Sequence, residues 1–150
     1  MADGIRFGKG LQLVNILRDL PADLRKGRCY LPSDTLAEVG LKPEDLLQTA
    51  ATTKFRPLYN RYLDLAESHL AAGWQYTNTI PGLHIRLRLA CAWPVLIGMK
   101  TLARLRQGNI LDPQQRIKIT RAEVKRLIVR SIVVYPWPPG WRRLFRVSGR

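Results

Sequence analysis

Between Gln12 and Asp23, oxygen-bearing and aliphatic side chains alternate with the period of an α-helix. At about 100° per residue, Gln12, Asn15, Asp19 and Asp23 share one narrow arc, and Leu13, Ile16, Leu17 and Leu20 share a neighbouring one. A segment with this pattern folds as a helix that buries its aliphatic arc and leaves a row of amide and carboxylate oxygens beside it. Like charges at i and i+4 repel by a few tenths of a kcal/mol. Arg18, Arg25 and Lys26 lie close enough in sequence to neutralise the pair on a solvated face. The amide of Asn15 in the same row offers a second use, because an all-oxygen donor set suits a hard cation such as Mg²⁺.

The rest of the chain also reads as helix. The first helix is expected over residues 5–26, with Pro21 removing one amide and kinking it between the two aspartates. Gly27 ends it, and Ser33 or Asp34 caps a short helix that stops before Gly40. Pro43 suits the first turn of a helix that breaks near Arg56-Pro57. A long helix follows to about Tyr76, with Leu58, Tyr62, Leu65, Ala66 and Leu70 as its buried stripe. After the turn at Ile80-Pro81-Gly82 comes another over residues 84–106. Asp112-Pro113 marks a loop, and Thr120-Arg121-Ala122-Glu123 is a capping box for a last helix that reaches about Tyr135. Pro136, Pro138, Pro139 and Gly140 are expected to prevent further helix. No strand pattern competes, and the expected fold is all-α.

The formal charge of +14 in 150 residues calls for an anionic partner: nucleic acid, diphosphate or anionic lipid. No zinc-ligand spacing or RNA-recognition aromatic signature accompanies the cations, so a specific nucleic-acid role is set aside. The basic residues are spread along the chain with some concentration after Arg116. Cys29 and Cys91 are far apart and read as two buried thiols of a reducing compartment. No signal-peptide pattern is seen. The longest strongly apolar run, residues 89–99, is too short to span a bilayer and contains Pro94. A cytoplasmic protein, at most peripheral at a membrane, is expected.

The words around the oxygen row carry a resemblance. Gly10-Leu11-Gln12-Leu13-Val14-Asn15-Ile16-Leu17-Arg18-Asp19, then Asp23, then Gly27-Arg28-Cys29-Tyr30-Leu31-Pro32, resembles the second aspartate-rich region of the squalene/phytoene synthase family. The likeness continues through Arg56-Pro57-Leu58-Tyr59 and Leu89-Ala90-Cys91-Ala92-Trp93-Pro94, and ends near Lys118-Ile119-Thr120-Arg121-Ala122-Glu123-Val124. These later words look more like bacterial squalene synthases than phytoene synthases. The resemblance implies an isoprenoid-synthase-type helical bundle around a central cavity. It implies that residues 1–135 are the C-terminal part of one synthase domain lacking its N-terminal helices, and that residues 136–150 are a basic tail. The family's first aspartate-rich motif has no counterpart here, so the chain is expected to be a truncated gene product, a fragment or one subunit of a split enzyme, the last with a polypeptide carrying the missing half as its partner.

The resemblance further implies Mg²⁺-dependent, head-to-head condensation of two farnesyl diphosphates through a cyclopropyl diphosphate to squalene, with NADPH as hydride donor. The alternatives are a phytoene or dehydrosqualene synthase, or a non-catalytic helical subunit of a split synthase. Asn15, Asp19 and Asp23 are the implied Mg²⁺ ligands, Asp19 and Asp23 being catalytic in that sense. Arg18, Gln12, Arg28 and Tyr30 are the implied substrate-binding residues. The structural alternative for Arg28 is a helix cap, and for Tyr30 packing beneath the loop. Phe55, Tyr59, Tyr62, Trp74 and Trp93 are candidates to line an apolar cavity that shields carbocations, with core packing as the alternative. The tail mixes Trp137, Trp141, Leu144 and Phe145 with Arg142, Arg143, Arg146 and Arg150, a composition suited to an anionic membrane surface, with an unordered basic terminus as the equal alternative.

Overall fold

Helix α1 (Ala2–Leu24) runs through Pro21 without ending. The computed structural model describes residues 2–112, 115 and 117–149; Pro113, Arg116 and Arg150, named above for the loop and the basic end, lie outside them. The buried residues of α1 are Gly10, Val14, Leu17, Leu20 and Leu24. Leu13 and Ile16, placed by pattern on the aliphatic arc, are half-buried. The packed face is therefore centred on Leu17, and the oxygen row lies roughly 180° away at about 100° per residue. Gly27, at φ 72°, ends α1 in a left-handed turn that glycine adopts without strain. Its amide donates to Leu24 O and that of Arg28 to Asp23 O, both at 2.9 Å, so orphan carbonyls of the last turn are satisfied.

A short helix, α2 (Ser33–Glu38), follows with no side-chain cap at Pro32. It turns at Gly40 and leads into two 3-10 turns, Pro43–Leu47 and Thr49–Ala51. An α-helix was expected from Pro43 to a break at Pro57. Instead α3 (Thr52–Thr79) begins later and carries Pro57 inside it. Pro57 removes one ladder bond near the helix start, while Phe55, Leu58 and Tyr59 on either side are buried and hold the segment helical. The buried stripe of α3 also differs from expectation. Leu63 is fully buried, Tyr62 is half-buried, and Leu65 is 45% exposed. The stripe follows Phe55, Tyr59, Leu63, Ala66 and Leu70, the phase that faces α1.

Helices α4 (Ile85–Gln107), α5 (Arg121–Val134) and α6 (Pro138–Ser148) complete the bundle. No strand occurs among the described residues. The contacts fix antiparallel neighbours. Gly73 of α3 lies against Phe7, Gly10 against His69 and Leu70, and the Tyr59 hydroxyl donates to Leu17 O at 3.1 Å. Gly98 of α4 meets Leu70 and Val14, placing α4 against both α1 and α3. Trp93 Nε1 donates to Ser131 Oγ at 2.9 Å and Arg104 pairs with Glu123, running α5 back along α4.

The prolines at 138 and 139 were expected to exclude helix and instead start one. At the first two helical positions the missing amides have no intrahelical partner to lose. Trp141 and Leu144 bury α6 on the bundle. The Trp141 ring stacks on Trp74 at 5.1 Å, and its Nε1 donates to Asn78 Oδ1 at 2.7 Å. Cys29 and Cys91, expected to be buried, are half-buried free thiols.

Candidate active site

Arg18 and Asp19 are adjacent on α1 and face each other. Arg18 Nε donates to Asp19 Oδ1 at 2.9 Å and Nη2 to Oδ2 at 2.6 Å. This fork-on-carboxylate geometry is the strong form of an ion pair, although both side chains stay partly open to solvent, at 36% and 45%. The hydrogen bonds from Arg18 hold the Asp19 carboxyl below the usual carboxylate range, and Lys118 and Lys26 push the same way. The same pairing raises Arg18.

Lys118 reaches the pair from the connection between α4 and α5, whose described residues are anchored at both ends. At its start the Arg56 guanidinium donates to Gly108 O at 2.7 Å and also to Arg106 O, covering the last carbonyls of α4. Ile110 and Leu111 are buried beneath it. At its far end the expected capping box forms. Glu123 N donates to Thr120 Oγ1 at 3.2 Å, and Thr120 N donates to Glu123 Oε2 at 3.0 Å.

Two clefts open on either side of the Arg18–Asp19–Lys118 cluster. The larger, about 380 Å³, adds Arg25, Asp112 and Gln115 as polar walls over Pro21, Ala22, Ile110 and Ile117. The smaller, about 270 Å³, adds Ile97, Thr101, Ile119 and Val124. Arg18, Lys118 and the depressed carboxylate thus sit between two partly aliphatic recesses, with Arg25 in the wall of the larger. Such an arrangement can hold a multiply charged anion with its apolar substituent laid to one side.

The other sequence candidates distribute as follows. Asn15 and Asp23 flank Asp19 one turn away on either side, as an unbroken helix requires; Asn15 is exposed and Asp23 half-buried. Gln12 continues the row and is exposed. Asp23 stands in the last turn, where the carbonyl end of the helix favours a nearby cation. Arg28 and Tyr30 follow α1, are both exposed, and line neither cleft. The α1 cap uses the backbone amide of Arg28, and Tyr30, at 55% exposure, does not pack beneath its loop.

Among the cavity aromatics, Phe55 and Tyr59 pair at 5.4 Å inside the core and Trp74 stacks on Trp141. Trp93 bonds to Ser131, and the Tyr62 hydroxyl lies 2.8 Å from Thr35 Oγ1. None of the five lines the two clefts. Burial drives the Tyr59 phenol well above its ordinary value. Sequence reasoning missed the α4–α5 connection. Lys118 was noted only as part of a later word of the resemblance, and Gln115 carried no signal.

The row fits Mg²⁺ by donor chemistry, since every member offers oxygen. No cluster of three or more His, Cys, Asp or Glu suited to a metal occurs among the described residues. Two carboxylates with amides therefore need further oxygens, which suits an ion that keeps several waters and shares substrate phosphates.

The strand-free helical bundle of the described residues is consistent with the all-α, isoprenoid-synthase-type fold. Residues 1–123 match the squalene/phytoene synthase family profile, and the chain belongs to that family. It is 48% identical over 101 residues to phytoene synthase 1, chloroplastic, of Arabidopsis thaliana, covering 67% of this chain and 22% of that protein. It is 30% identical over 140 residues to the phytoene synthase of Thermus thermophilus, covering 92% of this chain and 46% of that protein. A 35% match over 95 residues to the chloroplastic phytoene synthase of an Oncidium hybrid cultivar covers 63% of this chain and 21% of that one. The chain thus spans less than half the length of these curated relatives. Their names favour the phytoene alternative over the squalene-specific expectation. Among the described residues no helix is long and apolar enough to cross a membrane.

Proposed function

We propose that the chain supplies the diphosphate-ionising half-site of a head-to-head prenyl transferase of the phytoene-synthase type. The observation that supports this best is the Arg18–Asp19 pair, set between two clefts with Lys118 and Arg25 beside it, on the α1 face turned away from the core. In this reading the allylic diphosphate enters the larger cleft. Arg18 exchanges Asp19 for two phosphate oxygens, which its planar fork accommodates equally well. Asp19, released, joins Asn15 and Asp23 as oxygen donors, with Gln12 at the end of the row. Bound Mg²⁺ supplies the positive charge that stabilises the leaving diphosphate. Lys118 and Arg25 hold that diphosphate as charge builds on it. The aliphatic walls of the clefts keep the prenyl chain away from water. Completion of the cavity by the region that bears the family's first aspartate-rich motif is part of the proposal.

Calorimetry with Mg²⁺ and inorganic diphosphate tests the half-site directly. Asp19→Ala should abolish Mg²⁺-dependent binding while leaving far-UV dichroism unchanged; retained binding would reduce the row to a solvated face. Product analysis then separates the chemistries. The chain, with its complementing half, is incubated with farnesyl or geranylgeranyl diphosphate and Mg²⁺, with and without NADPH. Phytoene formed without NADPH is the expected result. Squalene that requires NADPH would restore the squalene reading.

A further inference from the structure

Most of the acidic side chains lie in the first two-thirds of the chain, and the last third is different. Residues 117–150 hold nine Lys or Arg and a single acid, Glu123, which is committed to Thr120, Arg104 and Lys100. Lys125, Arg126 and Arg130 of α5, and Arg142, Arg143 and Arg146 of α6, are exposed and take part in none of the ion pairs among the described residues.

The outward side of α5 has an order of its own. Ser131 is the buried residue of this helix. At about 100° per residue, Val129 and Val133 lie on the side opposite Ser131, with Ile132 and Lys125 to one flank and Arg126 and Arg130 to the other. Val129 is 59% exposed and Val133 71%. An apolar ridge between two cationic flanks thus faces solvent.

The ridge continues at the corner between α5 and α6. Trp137 is 56% exposed, and its ring is held against Gly140, where a Cβ would meet it at 2.2 Å. The Tyr135 hydroxyl donates to Gly82 O at 2.8 Å and fixes the α3–α4 turn beside this corner. From that turn projects Leu83, almost wholly exposed. Arg126 and Arg130 also border a cleft of about 220 Å³ between α5 and α6, walled by Leu127, Leu144 and Val147.

We propose that the outward face of α5 and the α5–α6 corner form a docking surface for an anionic lipid bilayer. The apolar ridge with Trp137 and Leu83 enters the headgroup region while the flanking cations meet lipid phosphates. Apolar residues edged by unpaired Lys and Arg, with an aromatic at the boundary, are the composition of interfacial helices. Protein interfaces, by contrast, are depleted of charge at their centres, and here Val129 has Lys125 and Arg126, and Val133 has Arg130, one turn away on α5. The proposal does not depend on the chemistry assigned to the Asp19 row.

The test uses the full chain and sedimentation with vesicles of phosphatidylcholine alone or mixed with phosphatidylglycerol, at physiological salt. Binding is expected only to the mixed vesicles, with quenching of tryptophan fluorescence by brominated lipid that Trp137→Phe removes. At about fivefold per cation near the surface, the triple variant Arg126→Gln, Arg130→Gln, Arg142→Gln should bind about a hundredfold more weakly. Val129→Ser with Val133→Ser should weaken binding at least tenfold with helicity and Mg²⁺–diphosphate binding unchanged. Three results would overturn the proposal. One is no binding to mixed vesicles by the intact chain. Another is binding indifferent to the valine pair, which would be adhesion by charge alone. The third is a dimer or a protein complex that the valine variant dissociates, which would give the ridge a polypeptide occupant.

Discussion

Glu123→Gln probes the α4–α5 connection that brings Lys118 to the site. The Glu123 carboxylate accepts from Thr120 N and Thr120 Oγ1, both at 3.0 Å, and from Arg104 Nη2 at 2.7 Å, with Lys100 Nζ at 3.6 Å. The Thr120 amide, followed by Arg104, lowers its pKa from 4.5 to about 2. A depressed carboxyl stabilises the fold fully above its ordinary value, and this contribution is lost as pH falls from 4.5 to about 2. That interval corresponds at most to about 3 kcal/mol. Arg104 is half exposed, and solvent screening brings the expected figure to about 1–2 kcal/mol. Glutamine keeps an acceptor for Thr120 but loses the charge. The variant should therefore be about 1–2 kcal/mol less stable in urea at pH 7, and the two proteins should converge near pH 2. Hydrogen exchange should localise the loss to residues 117–134, and diphosphate affinity should fall with it as Lys118 loosens. An equal gap at both pH values would refute the reasoning, because the carboxylate's charge would then not be what holds α5.

Other perturbations follow from the packing. Gly10→Ala places a methyl 3.0 Å from His69 Cβ and Leu70 N, forcing α1 from α3 at a cost of about 1–3 kcal/mol in a urea titration; Gly8→Ala, with nothing within 4 Å, should instead stabilise by up to about 1 kcal/mol. Tyr59→Phe leaves Leu17 O without its donor and should cost about 1 kcal/mol by the same measurement. Arg18→Gln should change two affinities in opposite directions. Mg²⁺ binding without diphosphate should strengthen by up to about fivefold as Asp19 is freed from a partly exposed pair, while diphosphate binding should weaken; calorimetry that shows both falling together would rule out the exchange of partners.

The period of residues 12–23 made α1 and its oxygen row legible, because helix geometry alone decides which side chains share a face. It misjudged the centre of the packed face by about a residue. That centre is chosen by α3 and α4, which meet α1 at Gly10 and Leu17 through contacts far apart in sequence. Prolines misled in two ways. Pro57 was read as a break, yet the buried residues around it keep α3 continuous. Pro138 and Pro139 were read as breakers, although they sit where a helix has no amide bonds to lose. The capping box was legible because both partners lie within four residues. The cleft was not, since its cations come from α1 and its end and from Lys118, nearly a hundred residues later in the α4–α5 connection, whose start is held by Arg56 and by buried Ile110 and Leu111.

The orientation of the oxygen row links these parts. Its opposite face packs through Val14, Leu17, Leu20 and Leu24, leaving Asn15, Asp19 and Asp23 pointed away from the core this chain builds. A row of carboxylates on an exposed face would normally be quieted by flexible surface cations. Here, among the described residues, the row's ion pair is held by a guanidinium from the neighbouring residue, whose fork fits phosphate as well as carboxylate. Lys118 adds charge without forming an ion pair with Asp19. The resting arrangement favours the ionised form of Asp19, and in the proposed function its partner is free to turn to an incoming anion. In the function proposed above, an arginine and an aspartate that can each be released to a better partner would take up a metal–diphosphate, whose two charges satisfy both at once.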